Sequence, residues 1–216
     1  MTLAQELQEV TKSFGQQAPT EVLEVMGEAN TKLAESKLLD GVLKPGSKIP
    51  DFDLPDATGK IISSKELRAN NLLLISFYRG HWCPYCNLEL NALQARLSEI
   101  TAKGAILVAI SPQTPDQSLT TQEKNNLEFP VLSDVGNKVA KQFGLVFTLD
   151  ESLRPIYQSF GIDLTAHNGD SSFELPVPAT YLVARDGTVI ESYVNTNYSE
   201  RLEPETAIAW LDSLNN

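Results

Sequence analysis

Cys83 and Cys86, the chain's two cysteines, stand three residues apart in Phe77-Tyr78-Arg79-Gly80-His81-Trp82-Cys83-Pro84-Tyr85-Cys86. Two cysteines in 216 residues cannot form a disulfide framework, and this spacing makes them one pair. Two thiols within reach of each other do two-electron chemistry. One sulfur attacks a peroxide or a disulfide, and the other closes a Cys83–Cys86 bridge. Pro84 suits the first position of a helix, which puts Cys83 at the N-cap and Cys86 in the first turn. The unpaired amides of that turn and the helix dipole favour a Cys83 thiolate by about 0.3–2 kcal/mol. That is enough to bring a thiol of about 8.5 toward about 7. From Leu67 to Leu88 there is no carboxylate, and Arg68, Arg79 and His81 are the only side chains able to carry positive charge. Arg79 and His81 are expected to support the Cys83 anion. Trp82 either walls the site or packs into the core.

Three other readings of the pair compete. A structural zinc site needs two more ligands, and only His81 and His167 remain, with His81 too near Cys83 in sequence for tetrahedral closure. A static disulfide is disfavoured in a reducing compartment. Two inert core thiols are the third reading, since cysteine is often buried. The redox-active pair is the favoured one, with no metal and no cofactor, and a reduction potential between about −200 and −270 mV.

The rest of the chain must position that pair. Residues 3–43 show apolar residues at helical spacing, broken at Ala18-Pro19: a helical extension over 1–45 that packs on the main domain or serves as a subunit interface. A second copy of the chain is one candidate partner. From residue 46 to 216 the pattern changes to short strands and helices. Residues 52–54 and 60–62 form a small hairpin, and 72–78 is a buried central strand. Helix 84–103 stops at Gly104, and 105–110 is a second buried strand, completing a strand–helix–strand unit. Thr114, Pro115 and Gln117 start a helix with a capping box. Residues 180–184 and 188–193 pair across Arg185-Asp186-Gly187, and 204–214 is a closing helix. Residues 155–176 read as an irregular segment that either covers the site or runs as a surface loop, with His167 in it. A mixed sheet with helices on both faces accommodates all of this.

Charge excludes some partners. With 17 basic and 28 acidic side chains the formal net charge is −11, which opposes nucleic acids and anionic membrane surfaces. No signal-peptide pattern and no run of about 18 apolar residues is present, so a cytoplasmic location is expected.

Residues 46 to about 195 resemble the peroxiredoxin (AhpC/TSA) family of the thioredoxin fold. The resemblance rests on Ile49-Pro50-Asp51-Phe52, Val108-Ala109-Ile110-Ser111-Pro112, Phe129-Pro130-Val131-Leu132-Ser133-Asp134 and Tyr181-Leu182-Val183-Ala184-Arg185-Asp186-Gly187 in that order. Trp82-Cys83-Pro84-Tyr85-Cys86 itself is similar to the glutaredoxin motif. The family's motif of Pro, Thr or Ser, and peroxidatic Cys falls on Arg79, Cys83 and Cys86, so two of its three positions depart. The family's activating Arg corresponds to Pro178, where the chain instead resembles oxidoreductases carrying a cis-proline. The resemblance implies reduction of hydroperoxides through the Cys83/Cys86 pair, with thioredoxin or glutathione as reductant. One alternative is a thiol–disulfide oxidoreductase acting on small disulfides. Another is a non-enzymatic redox sensor. Helix position favours Cys83 as the attacking sulfur, and alignment favours Cys86.

Overall fold

The computed structural model describes residues 1–214. Two helices come first, α1 (Leu3–Gln17) and α2 (Thr20–Glu35), separated at Pro19. Thr2 and Gln5 form a full capping box at the start of α1. A hairpin follows, β1 (Asp53–Pro55) with β2 (Ile61–Ser63), then the short α3 (Ser64–Arg68). The centre is β3 (Leu72–Phe77), α4 (Pro84–Ala95), α5 (Leu97–Ala102) and β4 (Ala105–Ser111). Next come α6 (Pro115–Lys124), β5 (Val131–Ser133), α7 (Lys138–Gln142) and β6 (Val146–Thr148). Then come α8 (Arg154–Ser159), α9 (Leu164–Asn168), β7 (Glu174–Pro176), β8 (Ala179–Val183), β9 (Val189–Val194) and α10 (Pro204–Ser213).

Five strands form the main sheet in the order β5-β4-β3-β8-β9. β3 runs parallel to β4 and antiparallel to β8, so the sheet is mixed. Strand β3 has apolar residues on both faces because both faces are covered. Leu74 joins the cluster with Leu90, Leu93, Ala207 and Leu211 from α4 and α10. Leu73, Ile75 and Phe77 join the opposite cluster, with Val139 and Phe143 beside α7. This is the α/β arrangement, a mixed sheet with helices on both faces, that the sequence pattern predicts, and the thioredoxin-like fold that the family resemblance implies.

Several local expectations are corrected. Helix 84–103 is broken at Arg96, which leaves helical geometry and whose guanidinium bridges Glu99 and, across to α10, Glu205. The capping box at Thr114 does not form, because Gln117 is engaged by His167 instead. Residues 155–176 are ordered as α8, α9 and β7, and Tyr157, Leu164 and Leu175 there are buried with Ala29 of α2.

The arm formed by α1 and α2 lies on the main domain. Leu3 and Leu7 are buried in the cluster that contains both cysteines. Glu203 accepts from the free Leu3 and Ala4 amides at 3.2 and 2.7 Å, placing a carboxylate at the helix N-terminus.

Candidate active site

The site forms where β3 ends and α4 begins. Gly80 makes the turn at φ +152°, a backbone region suited to glycine. Cys83 is the N-cap residue and Pro84 the first helical residue, as the sequence predicts. Both cysteines are free thiols, buried at 1% and 0% exposure. Their sulfurs lie 2.8 Å apart. Buried thiols usually stay protonated, and what decides here is the charge around each sulfur.

Cys86 has the better surroundings. Burial opposes its ionisation, but the Cys83 thiol bonded to it, the Arg201 and Arg79 guanidinium charges and the Arg79 backbone N–H bring its pKa down to about 5. Arg201 Nη2 donates to Cys86 Sγ at 3.4 Å, and Arg201 Nε donates to Glu89 Oε2 at 2.6 Å. Burial and the neighbouring Cys86 raise the pKa of Cys83, and the proton shared by the two sulfurs stays there. Burial raises Glu89 to about 7 against the pull of Arg201. The expectation of a Cys83 thiolate is therefore corrected. No first-turn amide bonds the Cys83 side chain, so its N-cap position brings no hydrogen bond, and the nearest charges favour the deeper sulfur.

Arg79 is 3% exposed and has no carboxylate partner among the described residues. It donates to Tyr157 Oη, and its guanidinium carbon lies 4.6, 5.0 and 5.8 Å from the ring centroids of Tyr198, Trp82 and Tyr157. Its Nε has no partner. The aromatic faces offset part of the cost of burying that charge, on the order of 2 kcal/mol for a desolvated pair. Trp82 is thus a wall of the site, edge-on to Tyr157 at 5.7 Å.

His81 plays a different part from the one its position suggests. Its ring meets the His167 ring edge-on at 4.8 Å, and Gln113 holds both its backbone N–H and its Nδ1. Burial, with His167 and Lys124 close by, lowers its pKa to about 4, so it is neutral near pH 7 and lends no charge to the thiolate. Gln113 Oε1 already accepts from His81 N–H and Thr121, so its amide nitrogen faces Nδ1 and the ring proton sits on Nε2. Tyr85 Oη meets Thr11 Oγ1 of α1 at 3.2 Å. Pro178 is buried in the wall of a neighbouring cavity of about 390 Å³ that also reaches Arg79, and its peptide bond is trans, correcting the cis expectation.

A cavity of about 470 Å³ opens in front of Cys83 and is lined by Arg79, Trp82, His81 and His167. Sequence reasoning missed Glu89, Arg201, Tyr157, Tyr198 and Gln113. Glu89 lies one residue beyond the carboxylate-free span and on the α4 face of Cys86, so helical spacing alone could have pointed to it. Arg201 lies 115 residues from Cys86, and nothing local marks it. No group of three or more His, Cys, Asp and Glu able to hold a metal occurs among the described residues.

A buried dithiol at a strand-to-helix turn, with guanidinium charge on one sulfur, on a mixed sheet of this order, defines a thioredoxin-fold thiol oxidoreductase. The AhpC/TSA family model matches residues 45–192. A protein named as a peroxiredoxin in Mycobacterium tuberculosis is 28% identical over 142 residues, covering 58% of this chain and 90% of that one. Peroxiredoxin Bcp of Escherichia coli K12 is 30% identical over 103 residues, covering 48% and 65%. Among solved structures, peroxidoxin BcpB of M. tuberculosis aligns with a TM-score of 0.63 at 22% identity, over 80% of this chain and 98% of that one. The chain belongs to the AhpC/TSA family, the thiol-dependent peroxidases of the peroxiredoxin type.

Proposed function

We propose that Cys86 is the sulfur that attacks a hydroperoxide and Cys83 the one that completes the cycle. The observation that carries this reading is the asymmetry of the pair. Arg201 holds the thiolate on Cys86, while the protonated Cys83 lies 2.8 Å from it and faces the cavity. Cys86 Sγ attacks the terminal peroxide oxygen. An S–O bond forms, the O–O bond breaks and its electron pair leaves on the alkoxide. The Cys83 thiol, on the cavity side, gives its proton to that alkoxide and becomes a thiolate. It then attacks the Cys86 sulfenic acid, so that the S–S bond forms, the S–O bond breaks and hydroxide takes up a proton to leave as water. The sulfurs lose two electrons in all and the peroxide gains them. An external dithiol or two thiols, from thioredoxin or glutathione, return them by exchange. The short S···S approach means the bridge closes without unwinding the first turn of α4. A homodimer is compatible with this cycle, which needs no residue from a second subunit.

One observation favours disulfide exchange instead: Cys83 lines the cavity and Cys86 does not. Peroxide kinetics on single variants separate the two. Cys86→Ser is expected to abolish rapid oxidation. Cys83→Ser should still be oxidised but stop at a sulfenic acid that dimedone labels at Cys86, seen as a mass increase. Dimedone label on Cys83 in the Cys86→Ser protein, formed at the wild-type rate, would reverse the assignment.

A further inference from the structure

Hydrogen peroxide takes up about two waters' share of space, on the order of 60 Å³. The cavity in front of Cys83 is about 470 Å³, within the range that encloses organic ligands. Its lining contains no carboxylate, with Arg79 and Lys124 as its cationic side chains and Val10, Phe14, Met26 and Phe160 among its apolar ones. Three lining residues, Val10, Phe14 and Met26, come from α1 and α2, before residue 45 where the family match starts. Phe14 meets Phe160, at the end of α8, edge-on with ring centroids 5.9 Å apart, so the arm and the main domain close one wall of the cavity together. That wall is anchored. Leu3 and Leu7 are buried, Glu203 caps α1, and Thr11 bonds Tyr85 inside the redox motif itself.

A small peroxide bound at Cys83 leaves most of this volume unused. An apolar body attached to the peroxide would bury surface against Phe14, Met26 and Phe160, gaining about 25 cal/mol for each Å² removed from water. We propose that Phe14 and Met26 of the arm set the specificity of the reaction, making it select hydroperoxides with a bulky apolar body over hydrogen peroxide. This rests on the peroxidase reading above and leaves its bond changes as they stand: the terminal oxygen is still taken by Cys86, and the body leaves as the alcohol. The arm acts on binding and orientation of the body.

Stopped-flow oxidation of the reduced full-length protein by hydrogen peroxide and by cumene hydroperoxide yields two second-order rate constants and their ratio. Phe14→Ala and Met26→Gln are each expected to lower the cumene-to-hydrogen-peroxide ratio about 10-fold, the scale of a lost apolar contact. Phe14→Leu keeps apolar bulk and should retain most of the ratio. Parallel falls with both peroxides, or an unmoved ratio in both arm variants, would overturn the arm's role. So would a ratio that moves only in Phe160→Ser, a substitution at a ring 44% exposed and therefore mild for folding. If the wild-type protein reacts with neither peroxide, the peroxidase reading itself fails, an outcome distinct from a failure of specificity.

Discussion

At Cys86 the outcome is set by distance to charge. A buried thiol left alone would hold its proton above the usual range, and here two guanidinium groups and a neighbouring S–H reverse the direction. The thiolate is the deprotonated form, so reactivity is kept above about pH 5 and lost as pH falls through it. Arg201→Met removes the nearest charge and is expected to move that loss upward toward about pH 8.5, with alkylation of Cys86 by iodoacetamide at pH 7 slowed at least about 10-fold. The rate is read by peptide mapping across pH. Arg201→Lys should recover part of it, because a point charge stabilises the anion but cannot reach Cys86 and Glu89 with separate nitrogens as the guanidinium does. An alkylation profile that does not shift in Arg201→Met would mean that the guanidinium does not hold the thiolate.

The β3–α4 turn is the element that turns a chain into a site. It must leave a buried strand, reverse and enter a helix within a few residues, while keeping Trp82 against Arg79. Gly80 allows this. A Cβ there would run into the Trp82 indole, and the φ of +152° is one that side-chain-bearing residues rarely adopt. Gly80→Ala is expected to cost about 1–3 kcal/mol of stability in urea unfolding, with a blue or red shift of Trp82 fluorescence as the ring is displaced. Unchanged stability and emission would mean the turn tolerates the methyl group and that the indole is not fixed by it.

Across the whole molecule, the arm is held by apolar burial and a capped helix more than by surface charge. Leu7 is 3% exposed in the cysteine-side core, so Leu7→Ala should cost about 2–5 kcal/mol. The exposed Lys32–Asp150 pair that joins α2 to the domain is a surface ion pair, and Lys32→Ala should stay within about 1 kcal/mol. Chemical denaturation with a single transition checks both. A separate low-denaturant transition for Leu7→Ala would show that the arm unfolds on its own. The same packing places Phe14 and Met26 on the cavity, so the elements that anchor the arm also shape the entrance to the sulfurs.

From the order of residues alone came the paired thiols, the strand-to-helix turn, the helical arm and the mixed sheet, because all of these follow from local spacing, backbone restriction and periodic burial. Trp82, Arg79 and Tyr85 were legible as neighbours of the pair for the same reason. Which sulfur is charged was not. That choice depends on Arg201, 115 residues away, acting with Arg79 and the Cys83 thiol, while burial beside His167 and Lys124 keeps the His81 ring neutral. Coulomb interactions and desolvation act through space, over a few ångströms that sequence separation does not measure. Only the folded chain, bringing the first turn of α4 and the segment before α10 together at the end of β3, sets the charges around the two sulfurs.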